Sequence, residues 1–209
     1  KLAREWADWV ESSSGNREEE IFPYIKSWLS REKPVFLAEI GCGQGSCSNL
    51  VDSSISYIGI EPSKFLIARA KELFPEANKR FVQGNAYNIP LEDNSVDACI
   101  SVWVWSHLDN LNLASSEIFR ILKNKGSFLL ITAHPKTYEE RKTFYSKYEI
   151  KGNLLIGNFD LDNGKYLTDT TLYLHTEKEI HDALLSAGFK IDKITGLSND
   201  LYIVIECSK

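Results

Sequence analysis

A short apolar segment followed by a glycine-rich loop is the feature that most restricts how this chain can fold. Residues 35–40 have the composition of a buried β-strand. Three glycines follow at alternate positions: Gly41, Gly43 and Gly45. Glycine lets a loop turn tightly and lets its backbone approach a bound group closely. Residues 46–51 are predicted to form a helix, so the order strand, glycine turn, helix predicts a nucleotide-type site.

Strands and helices alternate along the rest of the chain. Further strands are predicted at residues 56–61, 80–83, 96–102 and 127–132, with helices at 64–74 and 113–122 between them. This alternation is typical of an α/β fold in which helices cover both faces of a mostly parallel sheet. Residues 190–194 and 201–207 form two final strands. The turn residues 198–200 between them predict an antiparallel hairpin.

The 209 residues are predicted to form a single domain with four parts. Residues 1–31 contain two amphipathic helices that we expect to act as a lid. Residues 35–134 form the core that carries the glycine loop. Periodicity weakens in residues 135–171, which predicts a cap insertion made of a mobile segment or a pair of short helices. Residues 172–209 add a helix and the final hairpin.

Composition restricts the partners and the compartment. The net charge of −5 argues against a broad nucleic-acid surface, which would need a basic footprint to neutralise phosphates. No apolar run reaches the ~18 residues of a membrane span, and no signal peptide opens the chain. The four cysteines lack CxxC or metal-ligand spacing, which predicts free thiols in the cytoplasm and no metal site. Because methionine is absent, we expect residues ahead of Lys1.

The spacing of the glycines narrows the ligand. A nicotinamide dinucleotide site has the pattern G-x-G-x-x-G, whereas here the third glycine comes one position early. Glu39 lies two residues before the first glycine, where its charge would repel a pyrophosphate and attract an ammonium group. A phosphate-binding P-loop is excluded because no Gly-Lys-Ser or Gly-Lys-Thr follows. The loop therefore favours a ligand with an amino-acid end, such as S-adenosylmethionine.

Further polar positions follow the next two strands. Glu61 ends the second strand, where a carboxylate can accept both hydroxyls of a ribose. Pro62 beside it can press against an adenine ring. Asn85 follows the third strand, and its amide can accept from the adenine amino group and donate to a ring nitrogen. These positions predict a site for an adenosine group.

A series of short motifs occurs in a fixed order between about residues 35 and 132. They are Ala38-Glu39-Ile40-Gly41-Cys42-Gly43-Gln44-Gly45, Gly59-Ile60-Glu61-Pro62-Ser63, Gly84-Asn85-Ala86 with Ile89-Pro90, Asp93-Asn94-Ser95-Val96-Asp97, Ser106-His107-Leu108 and Arg120-Ile121-Leu122-Lys123-Asn124-Lys125-Gly126. Together they resemble the type 11 group of class I S-adenosylmethionine-dependent methyltransferases, which includes ubiquinone/menaquinone methyltransferases. Two departures stand out: the group usually has Asp at Asn85, and a second glycine at Ser127.

The resemblance implies a Rossmann-like three-layer sandwich with a seven-stranded sheet whose last strand is antiparallel. It also implies S-adenosylmethionine as the cofactor, with S-adenosylhomocysteine as the product. It assigns Glu39, Gly41 and Gly43 to the methionine end, Glu61 to the ribose, Asn85 and Ala86 to the adenine, and Ser101, Val102 and Trp103 to a wall. We add Cys42 (through its backbone), Gly45, Pro62 and Ser63 to the predicted cofactor site.

His107 is the candidate catalytic residue. It follows the fourth strand, at the edge where substrates bind in open α/β sheets, and an imidazole titrates near neutral pH. A helix-start or packing role is the alternative. His134, at the end of the fifth strand, is a second candidate for a general base.

Aromatic residues mark the side where a methyl acceptor would bind. Each has packing in the core as its alternative role. Trp103 and Trp105 are candidates for an apolar pocket, Trp6, Trp9 and Tyr24 for the lid, and Tyr138, Tyr145 and Tyr148 for closure over the substrate.

These observations predict methyl transfer to an O, N or C atom of a small molecule by in-line displacement, with positioning as the main catalytic effect. A base is needed only when the acceptor keeps its proton. The alternatives are an RNA or protein acceptor and a non-catalytic S-adenosylmethionine-binding regulatory module. A nicotinamide dehydrogenase is a further alternative, against which the glycine spacing argues. The sequence leaves the acceptor and the oligomeric state open.

Overall fold

Ten β-strands lie in the described part of the chain, residues 2–12, 17–161 and 166–209 of a computed structural model. In chain order they are β1 (Phe36–Ile40), β2 (Ser56–Glu61), β3 (Lys79–Gln83), β4 (Val96–Val102), β5 (Leu122–Ala133), β6 (Tyr145–Lys151), β7 (Leu154–Asp160), β8 (Tyr166–Tyr173), β9 (Lys190–Leu197) and β10 (Tyr202–Ser208). Seven strands form one sheet in the order β3-β2-β1-β4-β5-β10-β9, and β6, β7 and β8 form a second sheet.

Helices cover both faces of the large sheet. The α-helices of the described residues are α1 (Leu2–Ser12), α2 (Phe22–Glu32), α3 (Lys64–Leu73), α4 (Leu111–Ile121), α5 (Tyr138–Arg141) and α6 (Glu177–Ala187). Of these, α2, α3, α4 and α6 pack on the large sheet. Successive side chains of a strand point to opposite faces. In β1, Ala38 and Ile40 accordingly pack in a cluster with α4 and α6, whereas Leu37 packs in a second cluster with α2 and α3. The predicted three-layer α/β architecture is confirmed.

The direction of the last strand also agrees with the prediction. β10 is antiparallel to both of its neighbours, β5 and β9, while the other pairs of the large sheet are parallel. The turn between β9 and β10 has φ angles of 53°, 53° and 66° at Ser198, Asn199 and Asp200. Short polar side chains adopt this left-handed conformation more readily than most residues.

The central strand β1 determines where a ligand can enter. It pairs with β2 on one side and with β4 on the other. The chain therefore continues from β1 towards one edge and reaches β4 on the opposite side. Loops after β1 and β4 diverge at such a position and leave a crevice at the carboxyl ends of the strands.

The insertion differs from its prediction as a mobile cap or a pair of short helices. After the single helical turn α5, the described part of residues 135–171 builds most of the antiparallel sheet β6-β7-β8. β6 has one partly buried residue, Tyr145, and is exposed at all its other positions. It therefore lacks the alternation of apolar and polar residues by which a strand is predicted from sequence. β8 extends to Tyr173, beyond the expected end of the insertion.

Two predicted helices are also corrected. The segment after the glycines is a 3-10 helix of five residues, Ser46–Leu50. Residues 17–30 form a π-helical turn, Arg17–Ile21, followed by α2, which has Pro23 in its first turn. Proline has no N–H to donate and is tolerated at the start of an α-helix, so α2 begins there. Within the described ranges, no helix has the length and apolar character needed to cross a membrane.

Arg120 joins α4 to the loop that precedes β4. Its guanidinium donates to the carbonyl oxygens of Ile89 and Leu91 and forms ion pairs with Glu117 and Asp93. Arg120→Met leaves these acceptors without their donor, so we expect the free energy of unfolding to fall by about 2–3 kcal/mol. Urea denaturation monitored by circular dichroism measures this loss.

Arg69→Met is the control for this prediction. Arg69 forms an ion pair with the exposed carboxylate of Glu72, and surface pairs of this kind contribute about 0–1 kcal/mol. Equal losses in the two variants would contradict a structural role for the carbonyl contacts of Arg120.

Candidate active site

A cavity of about 350 Å³ opens at the carboxyl ends of β1, β2, β3 and β4. It lies in the crevice that the strand order creates, and its volume is that of a small-molecule site. The structure brings most of the predicted site residues together on its wall. They are Glu39, Gly41, Cys42, Gly43, Glu61, Pro62, Asn85, Ala86, Val102, Trp103 and His107.

The glycine loop turns sharply after β1. Gly41, Gly43 and Gly45 have φ angles of 74°, 55° and 87°, a region that side chains disfavour. A Cβ atom at Gly41 would lie 2.3 Å from the side chain of Val104, so glycine lets the loop after β4 pack against this turn. At Gly45 a Cβ would lie 2.8 Å from the ring of Phe81. Gly45 is therefore a packing position and lies outside the cavity wall.

Ser63 and Ser101 also lie outside the wall, contrary to their predicted place in the site. The Ser63 hydroxyl accepts from the N–H of Leu66 and caps α3. Ser101 is fully buried and donates to the carbonyl oxygen of Ile40. It follows the alternation of β4, so its side chain points to the opposite face from Val102, which does line the cavity.

Glu39 is a buried carboxylate at the end of β1. Its side chain is 2% exposed, and it accepts a hydrogen bond from the hydroxyl of Tyr57. Burial raises the pKa of Glu39 to about 7, against the lowering effect of the hydrogen bonds from Tyr57 and Cys47. In the free protein, the Glu39 carboxyl therefore becomes fully charged only above neutral pH or beside a cation.

Glu61 is a second carboxylate on the cavity wall. Its two oxygens accept from the backbone N–H groups of Ser63 and Gly43, at 2.9 and 3.2 Å. Burial raises its pKa, and the two N–H groups oppose this shift. The hydrogen bonds hold the carboxylate in one orientation against the glycine loop, which leaves its remaining lone pairs to accept from a ligand.

Asn85 is oriented differently from its predicted role. Its Oδ1 atom accepts from the N–H groups of Tyr87 and Asn88, at 2.8 and 3.0 Å. An amide oxygen has two lone pairs, and both are used in this turn. The expected acceptance from an adenine amino group is therefore corrected: the free group of Asn85 is its Nδ2, a donor.

His107 connects the sheet core to the insertion. It ends the 3-10 helix Trp105–His107 after β4, and its Nδ1 lies 3.1 Å from the carbonyl oxygen of Thr171 in β8. A carbonyl only accepts, so Nδ1 carries the hydrogen, and in the neutral ring Nε2 is an acceptor. Loss of solvation lowers the pKa of His107 below 6.5. The side chain lies on the cavity wall, and its lowered pKa keeps it mostly neutral at pH 7.

His134 does not reach this cavity. It is 8% exposed, and its Nδ1 accepts from the N–H of Lys136 at the start of a 3-10 turn. Burial lowers the pKa of His134. His134 therefore caps this turn and lies off the cavity wall, so it does not serve there as the second candidate base.

The aromatic candidates separate into two groups. Trp103 and Trp6 line the cavity, whereas Trp105 is 1% exposed and packs in the core. Tyr24 lies off the wall and donates to Glu206 of β10. The side chain of Trp9 lies outside the described residues.

Two polar residues of the wall, Arg17 and Gln44, are not among the predicted site residues. Arg17 comes from the π-helical turn, where its Nη2 donates to the carbonyl oxygen of Val10. Gln44, inside the glycine loop, is 6% exposed, and its Oε1 is buried without a hydrogen-bond partner. Arg17 reaches the site only because the N-terminal segment packs across it, which no spacing in the sequence encodes.

Comparison with known proteins agrees with this geometry. The family model for a methyltransferase domain of type 11 matches residues 38–130. The chain is 33% identical over 101 residues to a probable S-adenosylmethionine-dependent methyltransferase of Mycolicibacterium smegmatis, a match that covers 48% of this chain and 38% of the relative. It is 30% identical over 116 residues to the ubiquinone/menaquinone biosynthesis C-methyltransferase UbiE of Campylobacter jejuni, covering 52% and 48%.

Solved structures share the fold at low sequence identity. A protein of Pyrococcus horikoshii superimposes with a TM-score of 0.77 at 19% identity, over 92% of this chain and 89% of that one. An S-adenosylmethionine-dependent methyltransferase of Clostridium acetobutylicum superimposes with a TM-score of 0.74 at 11% identity, over 95% and 94%.

The strand order, the glycine turn and the two wall carboxylates define the class I fold of S-adenosylmethionine-dependent methyltransferases. Within that class, residues 38–130 are similar to the type 11 methyltransferase domain. An uncharacterized protein of Methanocaldococcus jannaschii is 30% identical over 75% of this chain and 62% of its own length. The chain thus spans less than two thirds of the length of these curated relatives.

The raised pKa of Glu39 gives a prediction for stability. In the unfolded chain this carboxyl ionises near its ordinary value of 4.5, but in the folded protein it keeps its proton until about pH 7. Folding therefore becomes less favourable as the pH rises through this range. Glu39→Gln removes the titration, so its stability relative to the original protein should grow by about 2 kcal/mol between about pH 5 and pH 8.

Urea denaturation without ligand at a series of pH values measures this difference. Glu72→Gln is the matched control, because Glu72 is an exposed carboxylate on α3. The same pH trend in both variants, or no trend for Glu39→Gln, would show that ionisation of Glu39 does not lower the free energy of unfolding.

Proposed function

We propose that this chain binds S-adenosylmethionine in the cavity and transfers its methyl group to a small molecule. One observation carries the proposal: the buried carboxylates Glu39 and Glu61 line the same cavity on either side of Gly41–Gly43 in sequence. The ligand has an ammonium group and a ribose diol, and these are the groups that two such carboxylates accept.

The donors and acceptors of the wall fit the rest of this cofactor. Glu39 would hold the ammonium group, Glu61 the ribose hydroxyls, and the backbone of Gly41, Cys42 and Gly43 the methionine end. The partnerless Oε1 of Gln44 is one more acceptor beside these groups. Pro62, Ala86 and the Nδ2 of Asn85 would contact the adenine, with Val102 and Trp103 as a wall.

Gly45, Ser63 and Ser101 act through other residues in this proposal. The N–H of Ser63 orients the carboxylate of Glu61, and Ser101 supports the end of β1. They are positioning residues without direct contact to the cofactor.

The bound cofactor supplies an electrophilic methyl group, and the chain's contribution is to position the acceptor. An acceptor atom must be held about 3 Å from the methyl carbon and in line with its bond to sulfur. We propose that the N-terminal helices and the insertion act as lid and cap of a single domain, because Trp6, Val10 and Phe22 line the cavity and His107 bonds to β8. Four free, buried cysteines support a reducing compartment such as the cytoplasm.

The acceptor is an O, N or C atom of a small molecule in this proposal. A cavity of small-molecule size and an overall negative charge support it over an RNA or protein surface. For an acceptor that keeps its proton, His107 is the proposed base, because its Nε2 is an acceptor in the neutral ring.

The ribose role of Glu61 is tested by cofactor binding. Glu61→Ala removes two charge-assisted hydrogen bonds, so the Kd for S-adenosylmethionine should rise on the order of 100-fold. Isothermal titration calorimetry measures it, with Glu76→Ala as a control at an exposed carboxylate that pairs with Lys79. An unchanged Kd in Glu61→Ala would remove the ribose assignment, and tight NAD binding in place of S-adenosylmethionine binding would refute the proposed function.

The role of His107 is tested with two variants and a hydroxyl acceptor found by a turnover screen for S-adenosylhomocysteine release. His107→Ala removes both the base and the contact to Thr171, whereas His107→Asn offers an amide N–H in place of Nδ1–H. A base predicts that both variants lose about 10²–10⁴-fold in kcat/KM. It also predicts that the original enzyme loses activity only below about pH 6.5, because its pKa is lowered. Recovery of full activity in His107→Asn would assign His107 to structure alone.

A further inference from the structure

Five aromatic side chains form what we call the aromatic arc, which begins and ends on the cavity wall: Trp6, Phe159, Tyr145, Tyr202 and Trp103. From Trp6 on α1, the ring of Phe159 lies at 6.3 Å, and the ring of Tyr145 lies 5.4 Å further on. At the other end, the rings of Trp103 and Tyr202 are 5.7 Å apart. The two ends come from the N-terminal helix and from the loop after β4, so the arc joins the cofactor cavity to the insertion.

Arg141 lies between the two halves of this arc. Its guanidinium carbon is 5.1 Å from the centroid of the Tyr202 ring. Its Nη2 donates to the carbonyl oxygen of Leu201, and its Nε lies 3.3 Å from the hydroxyl of Thr137. These are neutral partners: in the part of the chain that the structure describes, Arg141 forms no ion pair with a carboxylate. Burial lowers its pKa, which marks a cation whose surroundings do not compensate its charge.

Besides the carbonyl oxygen of Leu201, the polar groups around Arg141 are hydroxyls. Burial raises the pKa of Tyr138 and of Tyr145 to about 12, while the guanidinium beside each hydroxyl lowers it, so both hydroxyls keep their protons. The indole Nε1 of Trp103 is buried and has no hydrogen-bond partner. Trp103 also has a φ angle of 60°, a conformation that costs energy in a bulky residue. A buried indole N–H without an acceptor is unfavourable unless a ligand supplies one.

We propose that Arg141, Tyr138, Tyr145 and Trp103 bind the anionic group of the methyl acceptor, a small molecule with an aromatic body and a carboxylate or phosphate. The inference rests on the proposed function, because it assigns the chemistry of the acceptor to the same site. The aromatic arc contacts the body of this molecule, and Arg141 anchors its charged end away from the atom that receives the methyl group. A guanidinium with neutral partners has its charge available for such an anion.

A purely structural reading of Arg141 is that it ties α5 to the turn before β10. That reading explains the contacts to Thr137 and Leu201 and the stacking on Tyr202. It does not explain why the N–H of Trp103 lacks an acceptor, or why a partly desolvated guanidinium has no carboxylate partner among the described residues. The anion site accounts for all of these observations.

The experiment uses the full chain loaded with S-adenosylhomocysteine and three matched probes: benzoate, phenyl phosphate and neutral benzamide. Calorimetric titration measures each Kd. We expect at least one anion to bind about tenfold or more tightly than benzamide, since a charge-assisted contact contributes about 1.5–3 kcal/mol. The tighter of the two anions identifies a carboxylate or a phosphate as the natural group.

Arg141→Met should weaken the binding of the anions at least about tenfold and leave benzamide binding and the Kd for S-adenosylhomocysteine within about twofold. Lys136→Met is the matched control: Lys136 precedes α5 and pairs with the exposed Asp200, so anion binding should be retained. Tyr145→Phe is a second variant for the case that Arg141→Met does not fold. It removes one hydrogen-bond donor, so the Kd of the anions should rise about threefold.

Equal binding of benzoate, phenyl phosphate and benzamide, or no anion binding, would overturn the anion site, as would unchanged anion binding in folded Arg141→Met and in Tyr145→Phe. The binding of S-adenosylhomocysteine is measured first and separately. Its failure in the unaltered protein would count against the proposed function, whereas its success without anion discrimination would count against this inference alone.

Discussion

The rest of the structure depends on the pairing of β1 on both of its edges. Glu39 is held in register with Gly59 of β2 and with Ile100 of β4, so the strand end cannot shift. The N–H groups of Gly41 and Cys42 then donate to the carbonyl oxygen of Ile60. These bonds hold the glycine loop against β2. On the other side of β1 lies β4, followed by its own loop. The crevice between them is a direct consequence of the strand order.

This arrangement carries an energetic cost in the free protein. Glu39 and Glu61 are both largely removed from water on the wall of one cavity, and burial raises the pKa of each. Hydrogen bonds from Tyr57 to Glu39 and from two backbone N–H groups to Glu61 recover part of the cost and orient the oxygens. A ligand that brings a cation and hydroxyl groups would recover more, so the same desolvation that disfavours the free state favours the bound one.

The core could be predicted because its signals are local. Strands buried on both faces form short apolar runs in the sequence, and the glycine spacing and the polar strand ends identify the edge at which the cavity opens. The insertion could not, because β6 is exposed along nearly all of its length and is held by hydrogen bonds to β7. Hydrogen bonding between strands leaves no periodic pattern in a sequence when neither face is buried.

By itself, the sequence determined the fold class and the carboxylates Glu39 and Glu61 at the ends of neighbouring strands, because each depends on residue type and short spacing. The tertiary structure decided which way side chains point. Strand alternation turns Ser101 away from the cavity, and a local turn uses both lone pairs of Asn85. Packing between distant segments brings Arg17 to the cavity and places Arg141 beside Tyr202. Such contacts join residues far apart in the chain, so only the folded coordinates contain them.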